Sequence, residues 1–323
     1  MPIGPVSTPS SGISVAEPVS PALERVKRVL FRPFDLGKWC AIGFCAWLAQ
    51  LGEGGAGGNF NFPGQHHHYE GVRHDWERAR GYVLDNLNWI VPLAAGLVVI
   101  CLALWLLFLW LNSRGKFMFL HCVALDKAQV AEPWHKFAYE ANSLFLFRLG
   151  LGLVAMFFTL PVLIIVIVII GKMLLAGQLV LYGIISAIGS GLLFFGMVVA
   201  FAIVQKLTLD FAVPIMFLRH NRCLAAWREL GSLVLGHIGT LILYFLFQIV
   251  LTIAISVIVL GAIIITCCLA GCLMLIPYIG TVLLLPIIMF KRCYSLYFLA
   301  QFGRDYDVFL PEPPLQPGAP PIT

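Results

Sequence analysis

Residues 230–290, LGSLVLGHIGTLILYFLFQIVLTIAISVIVLGAIIITCCLAGCLMLIPYIGTVLLLPIIMF, form a run of 61 residues without a single Asp, Glu, Lys or Arg. An apolar block of about 18 or more residues is long enough to cross a bilayer as a helix, the form in which every backbone N–H and C=O is paired within the segment. This run therefore holds two such helices and the turn between them. Charge brackets it: Arg228 stands just before the run, and Lys291 and Arg292 follow it directly.

The same pattern recurs outward from there. Residues 86–113, 149–171 and 173–205 are also free of charge. The whole chain is 60% hydrophobic and only 11% charged, against about 45–50% and 25% in a soluble domain. Too few charged groups are present to cover a water-facing surface. The expected fold class is all-α, a polytopic helical membrane protein with six transmembrane helices at residues 36–51, 89–111, 149–170, 179–204, 240–265 and 275–298. The first is the shortest, its 16 residues reaching about 24 Å at 1.5 Å per residue against a ~30 Å hydrocarbon core.

Three regions follow from this reading. Residues 1–21 form a lead with neither a charged nor an apolar signal-peptide segment, and are expected to be disordered. Residues 22–310 form the membrane domain, with one outer hydrophilic loop at 52–86, and residues 311–323 form a Pro-rich tail. Of the 21 Lys and Arg, 16 fall on the lead, the 2–3 and 4–5 connections and the C-terminal flank, while Arg73, Arg78, Arg80 and Lys172 fall on the other side. The positive-inside rule then places both termini in the cytoplasm, and an inner-membrane location in a bacterium is expected. The net charge of +5 is absorbed by these flanks, and no nucleic-acid-binding pattern accompanies it. Nine cysteines lie mostly in apolar stretches, so a disulfide scaffold is not expected.

Amphipathic segments accompany the spans. Leu23, Val26, Val29 and Leu30 share a helical face in a stretch that also carries Arg25, Lys27, Arg28 and Arg32, as expected of a basic helix lying on the membrane surface. Trp134, Phe137, Ala141 and Leu144 fall at helical spacing in one connection, as do Leu224, Trp227 and Val234 in another. YEANSLFLFRLG at 139–150 matches RELGSLVLGHIG at 228–239 with a constant offset of 89. Before each stands a similar helix exit, KFMFLH at 116–121 and PIMFLRH at 214–220, and LYFLAQ at 296–301 is a looser cognate. An internal helix-pair repeat is expected, each unit a surface helix and two spans.

The stretch PIMFLRHNRCLAAWRELGSLVLGHIG, with Pro214, Ala226, Trp227, Ser232, Leu233 and Gly239, resembles the membrane domain of bacterial glycerophosphodiester phosphodiesterases and related six-span proteins. PYIGTVLLLP from Pro277 and YSLYFLAQFG at 294–303 fit the related group. The resemblance spans residues 110–305 and implies a fold and a bacterial setting. It implies no catalytic residues, because those enzymes carry their active site in a separate soluble barrel.

Candidate chemistry is sparse. His66, His67, His68 and His74 offer metal-ligating imidazoles, but their Gly-rich loop promises no rigid support, and weak divalent-metal binding is the expectation. Lys206 and Asp210, spaced i, i+4 at the inner end of span four, read as an ion pair at the membrane edge. Cys267, Cys268 and Cys272 read as small apolar residues at a helix end, and Ser186, Ser190 and neighbouring glycines as a close-packing stripe. Pro161 and Pro286 should kink their spans. No nucleophile elbow, phosphate loop or HExxH is present, and no cofactor is implied. The expected role is non-catalytic, a scaffold or lipid-interacting module engaging anionic inner-leaflet lipids, with a protein partner or a homo-oligomer compatible with it. The alternative is a transporter or channel for a small solute, which would need a polar path through the bundle. The topology is tested by cysteine labelling: Gly55→Cys should react with an impermeant maleimide on intact cells, and Gln129→Cys and Gly318→Cys only after permeabilisation.

Overall fold

The computed structural model describes residues 13–32, 34–52, 87–128, 130–176, 181–266, 271 and 276–309. Those residues are helical, with no strand among them. In chain order the helices are α1 (Val19–Phe31), α2 (Leu36–Gln50), α3 (Leu87–Leu125), α4 (Ala131–Lys136), α5 (Ala138–Ala176) and α6 (Leu181–Leu207). A π-helical turn, Thr208–Ala212, leads into α7 (Val213–Arg219), followed by α8 (Cys223–Gly236), α9 (Ile238–Ile265), α10 (Pro277–Leu283) and α11 (Leu285–Ala300).

Four stretches are long and apolar enough to cross a membrane: Asn88–Leu125, Ala138–Ile169, Ile188–Arg219 and Ile238–Ile265. The chain is a helical membrane protein on that evidence. The two remaining expected spans are shorter. Helix α2 has 15 residues, and residues 275–298 divide into α10 and α11, because Leu284 leaves the helical region (φ −85°, ψ 2°) and Pro286 opens the first turn of α11. Proline lacks the N–H that would continue the ladder of α10, a lack that costs nothing at a helix start. Pro161, by contrast, lies inside an unbroken α5.

The buried core gathers at one end. The described core takes Ala22, Val26, Val29 and Leu30 from α1, Phe117–Leu120 from the exit of α3, Ile215 and Met216 from α7, and Leu296, Phe298 and Leu299 from α11. The three similar exit segments thus meet in one cluster. The other halves of α3, α5, α6 and α9 are bare: Leu93 is 76% exposed, Phe157 73% and Ile258 69%. An unbroken apolar surface of this kind is stable only against lipid.

The structure corrects several local expectations. The apolar face of α1 lies against α11 instead of a membrane, and Leu23, expected on that face, is exposed while Ala22 is fully buried. Arg25 of α1 donates to the carbonyls of Val123 and Ala124, 3.2 and 2.7 Å away, satisfying groups that the end of α3 leaves without helical donors. Residues 13–21, assigned to the lead, belong to the fold: Ser14 and Gln301 exchange hydrogen bonds of 2.8 and 2.9 Å, and α1 begins at Val19. Residues 1–12, 53–86 and 310–323 lie outside the described residues. In the first connection Trp134 sits on the short α4, which ends at Phe137, while Ala141 and Leu144 begin the long α5. In the second, Cys223, Ala226 and Leu230 are buried and Leu224 faces outward.

Helices α2 and α3 approach closely because Gly115 has no side chain. A Cβ there would stand 2.5 Å from Ala49 N and from Leu48 C, both backbone atoms that cannot move aside. Beside it Asn112, fully buried, donates to the carbonyls of Ala49 (2.8 Å) and Leu51 (2.9 Å) and accepts from Arg148 at 2.5 Å. Gly115→Val should therefore cost about 1–3 kcal/mol. Gly96→Ala, where a Cβ meets nothing within 4 Å, should leave thermal unfolding in detergent unchanged or slightly improved.

Candidate functional site

The site starts from a proline. Pro214 has no N–H to donate one turn back, and its ring crowds the carbonyl of Asp210, so an α-helix cannot run undisturbed through this point. The chain widens into the π turn, in which the Val213 N–H bonds to the carbonyl of Thr208, five residues back. That takes from Leu209 the donor it would have in an α-helix. Its carbonyl is met from another helix: Arg292 of α11 donates through Nη1 at 2.6 Å.

The same turn aims Asp210 at the interior, where the residue as a whole is 8% exposed. Lys206 Nζ lies 2.9 Å from Asp210 Oδ2. Tyr244 of α9 donates to the same oxygen at 3.1 Å, and Gln248 donates to Tyr244 Oη at 2.8 Å. Tyr244 is fully buried and ringed by aromatics, with centroids of Phe298, Phe211 and Tyr294 at 4.5, 5.1 and 5.7 Å. Thr208 turns the other way and accepts from Trp227 Nε1 at 3.1 Å, which fixes α8 against the turn.

Lys206, Leu209, Asp210 and Arg292 line a cavity of about 640 Å³, within the ~300–1,000 Å³ range of small-molecule sites. Its base presents Lys116, Lys206, Lys291 and Arg292, with Asp210 as the only acid among the described residues that line it. Its walls are apolar: Ile255, Val259 and Ile263 of α9 face Ile287 and Ile288 of α11. Lys206 is paired, and Arg292 has the Leu209 carbonyl. Lys291 has no hydrogen-bond or ion-pair partner among the described residues, and it feels both the like charge of Lys206 and the carboxylate of Asp210. An apolar chamber with a cationic floor cannot be filled well by water or by hydrocarbon alone; it suits a molecule with an anionic end and an apolar body.

A second polar cluster ties the connections together at the core end and is structural. His220 contacts Glu140 at 2.9 Å, Arg219 pairs with Glu229 at 2.7 Å, and Tyr306 donates to Glu229 at 2.8 Å. Burial and the Glu229 carboxylate hold the Tyr306 phenol above its usual pKa. Arg114 lies between the rings of Trp110 and Trp134, 4.5 and 4.8 Å from their centroids.

A family model matches residues 13–285 of the chain. The chain belongs to DUF7544, a family of unknown function. No curated protein and no solved structure matches it. The DUF7544 match takes in Lys206, Asp210, Tyr244 and Gln248 and stops short of Lys291 and Arg292, so the floor of the cavity is completed by residues beyond it.

Of the residues singled out in the sequence, Lys206 and Asp210 are brought together and given further partners. His66, His67, His68 and His74 lie outside the described residues, as do Cys267, Cys268 and Cys272; among the described residues no group of three metal-ligating side chains is assembled. Tyr244 and Arg292 were not singled out as site residues. A tyrosine and a glutamine one turn apart in an otherwise apolar span, and a Lys-Arg dyad closing the charge-free run, were the signals available.

The ion pair is only half sheltered, because the Lys206 side chain is 43% exposed and that of Asp210 11%. Lys206→Ala should therefore cost less than about 1 kcal/mol. Asp210→Ala, which strands the Tyr244 hydroxyl as well, should cost about 1–3 kcal/mol. The double variant should be less destabilised than the sum of the two, as measured by thermal unfolding in detergent.

Proposed function

We propose that this protein is a non-catalytic, lipid-interacting membrane module that holds an anionic membrane lipid, its head on Lys291 and Arg292 and its chains along α9. The observation that carries the reading is Lys291, without a hydrogen-bond or ion-pair partner among the described residues, at the base of an apolar-walled cavity. A lysine can hold its charge there at little cost if an anion shares the space. The bare outer halves of the long helices mean that lipid already surrounds the cavity's walls.

On this reading α2 and the α10–α11 pair are the first and last of six spans, seated against each other: Gly43 of α2 meets Val282 of α10, where a Cβ would stand 2.7 Å from the valine side chain. The core end is cytoplasmic, with both termini inside and the protein in a bacterial inner membrane. The lysines and arginines gathered at that end support this orientation. The resemblance to phosphodiesterase membrane domains supports a membrane module without an active site of its own. A transporter for a small solute is the second reading, favoured by the chain Lys206, Asp210, Tyr244, Gln248 that leads from the floor into α9.

The lipid reading is tested by thermal unfolding in micelles doped with phosphatidylglycerol or phosphatidylcholine. Phosphatidylglycerol should raise the melting temperature and phosphatidylcholine should not, since only a ligand of the folded state stabilises it. Val259→Trp, which fills the apolar wall, should abolish the difference while leaving the helical circular dichroism intact. Equal stabilisation by both lipids would overturn the reading.

A further inference from the structure

We infer that the headgroup this cavity selects is a phosphomonoester, a dianionic terminal phosphate carried on an apolar body. The inference rests on the lipid reading above and names its ligand.

Charge and donor geometry lead to it. Four cations and one carboxylate face the space. The Asp210 carboxylate is occupied by Lys206 and by the Tyr244 hydroxyl, so that pair is internally neutral and spends its polar atoms on protein. Of the three cations that remain, Lys116 is engaged with the protein elsewhere, and the other two, Lys291 and Arg292, are directly adjacent on α11. Together they carry two positive charges, and the charge that balances them is two. A phosphodiester head brings one negative charge, and a phosphomonoester brings between one and a half and two at neutral pH.

The donors fit the same anion. Arg292 spends one Nη1 bond on the Leu209 carbonyl, which fixes the guanidinium plane and leaves its other N–H groups to meet two oxygens of one phosphate. Lys291 supplies a compact charge next to it, with up to three N–H donors and none committed among the described residues. A terminal phosphate offers three oxygens to these donors, whereas a diester offers two. The floor lacks an acid poised to recognise an ammonium: the one carboxylate, Asp210, is already shared between two donors. Zwitterionic heads such as phosphocholine are therefore disfavoured twice, by the missing charge and by the cations that would face their ammonium.

The experiment measures thermal unfolding and native-mass-spectrometry binding of the full chain in neutral micelles at about pH 8, where a phosphomonoester carries close to two charges. Four probes are compared: phosphatidic acid, phosphatidylglycerol, phosphatidylcholine and inorganic phosphate. Phosphatidic acid should bind about tenfold more tightly than phosphatidylglycerol, the scale of one added charge-assisted contact, and Lys291→Gln should remove that preference without changing the stability of the lipid-free protein. Arg292→Lys, which keeps the charge and loses the fork, should bind both lipids with equal affinity. Equal binding of phosphatidic acid and phosphatidylglycerol by the wild type, with phosphatidylcholine weaker, would overturn the phosphomonoester inference and leave the lipid reading standing. Inorganic phosphate binding as tightly as phosphatidic acid would do the reverse, because the apolar body would then contribute nothing. Indifference to all four would overturn both.

Discussion

A single proline sets the central constraint. In a low-dielectric surrounding each backbone carbonyl must find a donor, and Pro214 makes that impossible for a regular helix. The π turn and the Arg292 side chain resolve the conflict jointly, because the carbonyl the turn releases is the one that anchors the guanidinium. From that anchor follow the position of Lys291 beside it, the seating of α11 against the π turn, and the inward placement of Asp210 that gathers Tyr244 and Gln248. The π turn and the polar floor of the cavity thus have one cause.

The architecture divides the helices by task. One end is packed as tightly as a soluble core, with glycines where backbones touch and asparagine, arginine and tyrosine side chains meeting the loose carbonyls. The other end carries apolar surface with little protein against it. Space between the helices is therefore widest where the lipid is and narrowest where the charges are, and the cavity lies at the junction.

Much of this was legible in the residues. Charge-free runs located the four long helices, and i, i+4 spacing identified Lys206 and Asp210 as neighbours. What escaped is what depends on separation in sequence. Tyr244 lies 34 residues from Asp210 in the chain, and the Arg292 contact crosses 83 residues, so no local pattern links them. Lys291 and Arg292 read as ordinary anchors of a helix end, because sequence does not say that a neighbouring helix leaves a carbonyl unpaired. The face of α1 was assigned to the membrane for a similar reason: periodicity shows that a face is apolar and not what covers it. Span six read as one helix since Pro286 stands in uninterrupted apolar sequence, and only the geometry at Leu284 shows where the chain divides.

The clasp between the first and last parts of the fold bears on how the protein is made. Val15 is held by Tyr294, and Ser14 by Gln301, so a segment made early closes on one made 279–287 residues later. At about 5–20 residues per second that is an interval on the order of 10–60 s. Throughout it, the face of α1 that ends up against α11 has no partner. The long helices can be inserted one after another as they emerge, but the inner face of α1 is covered only once α11 has emerged.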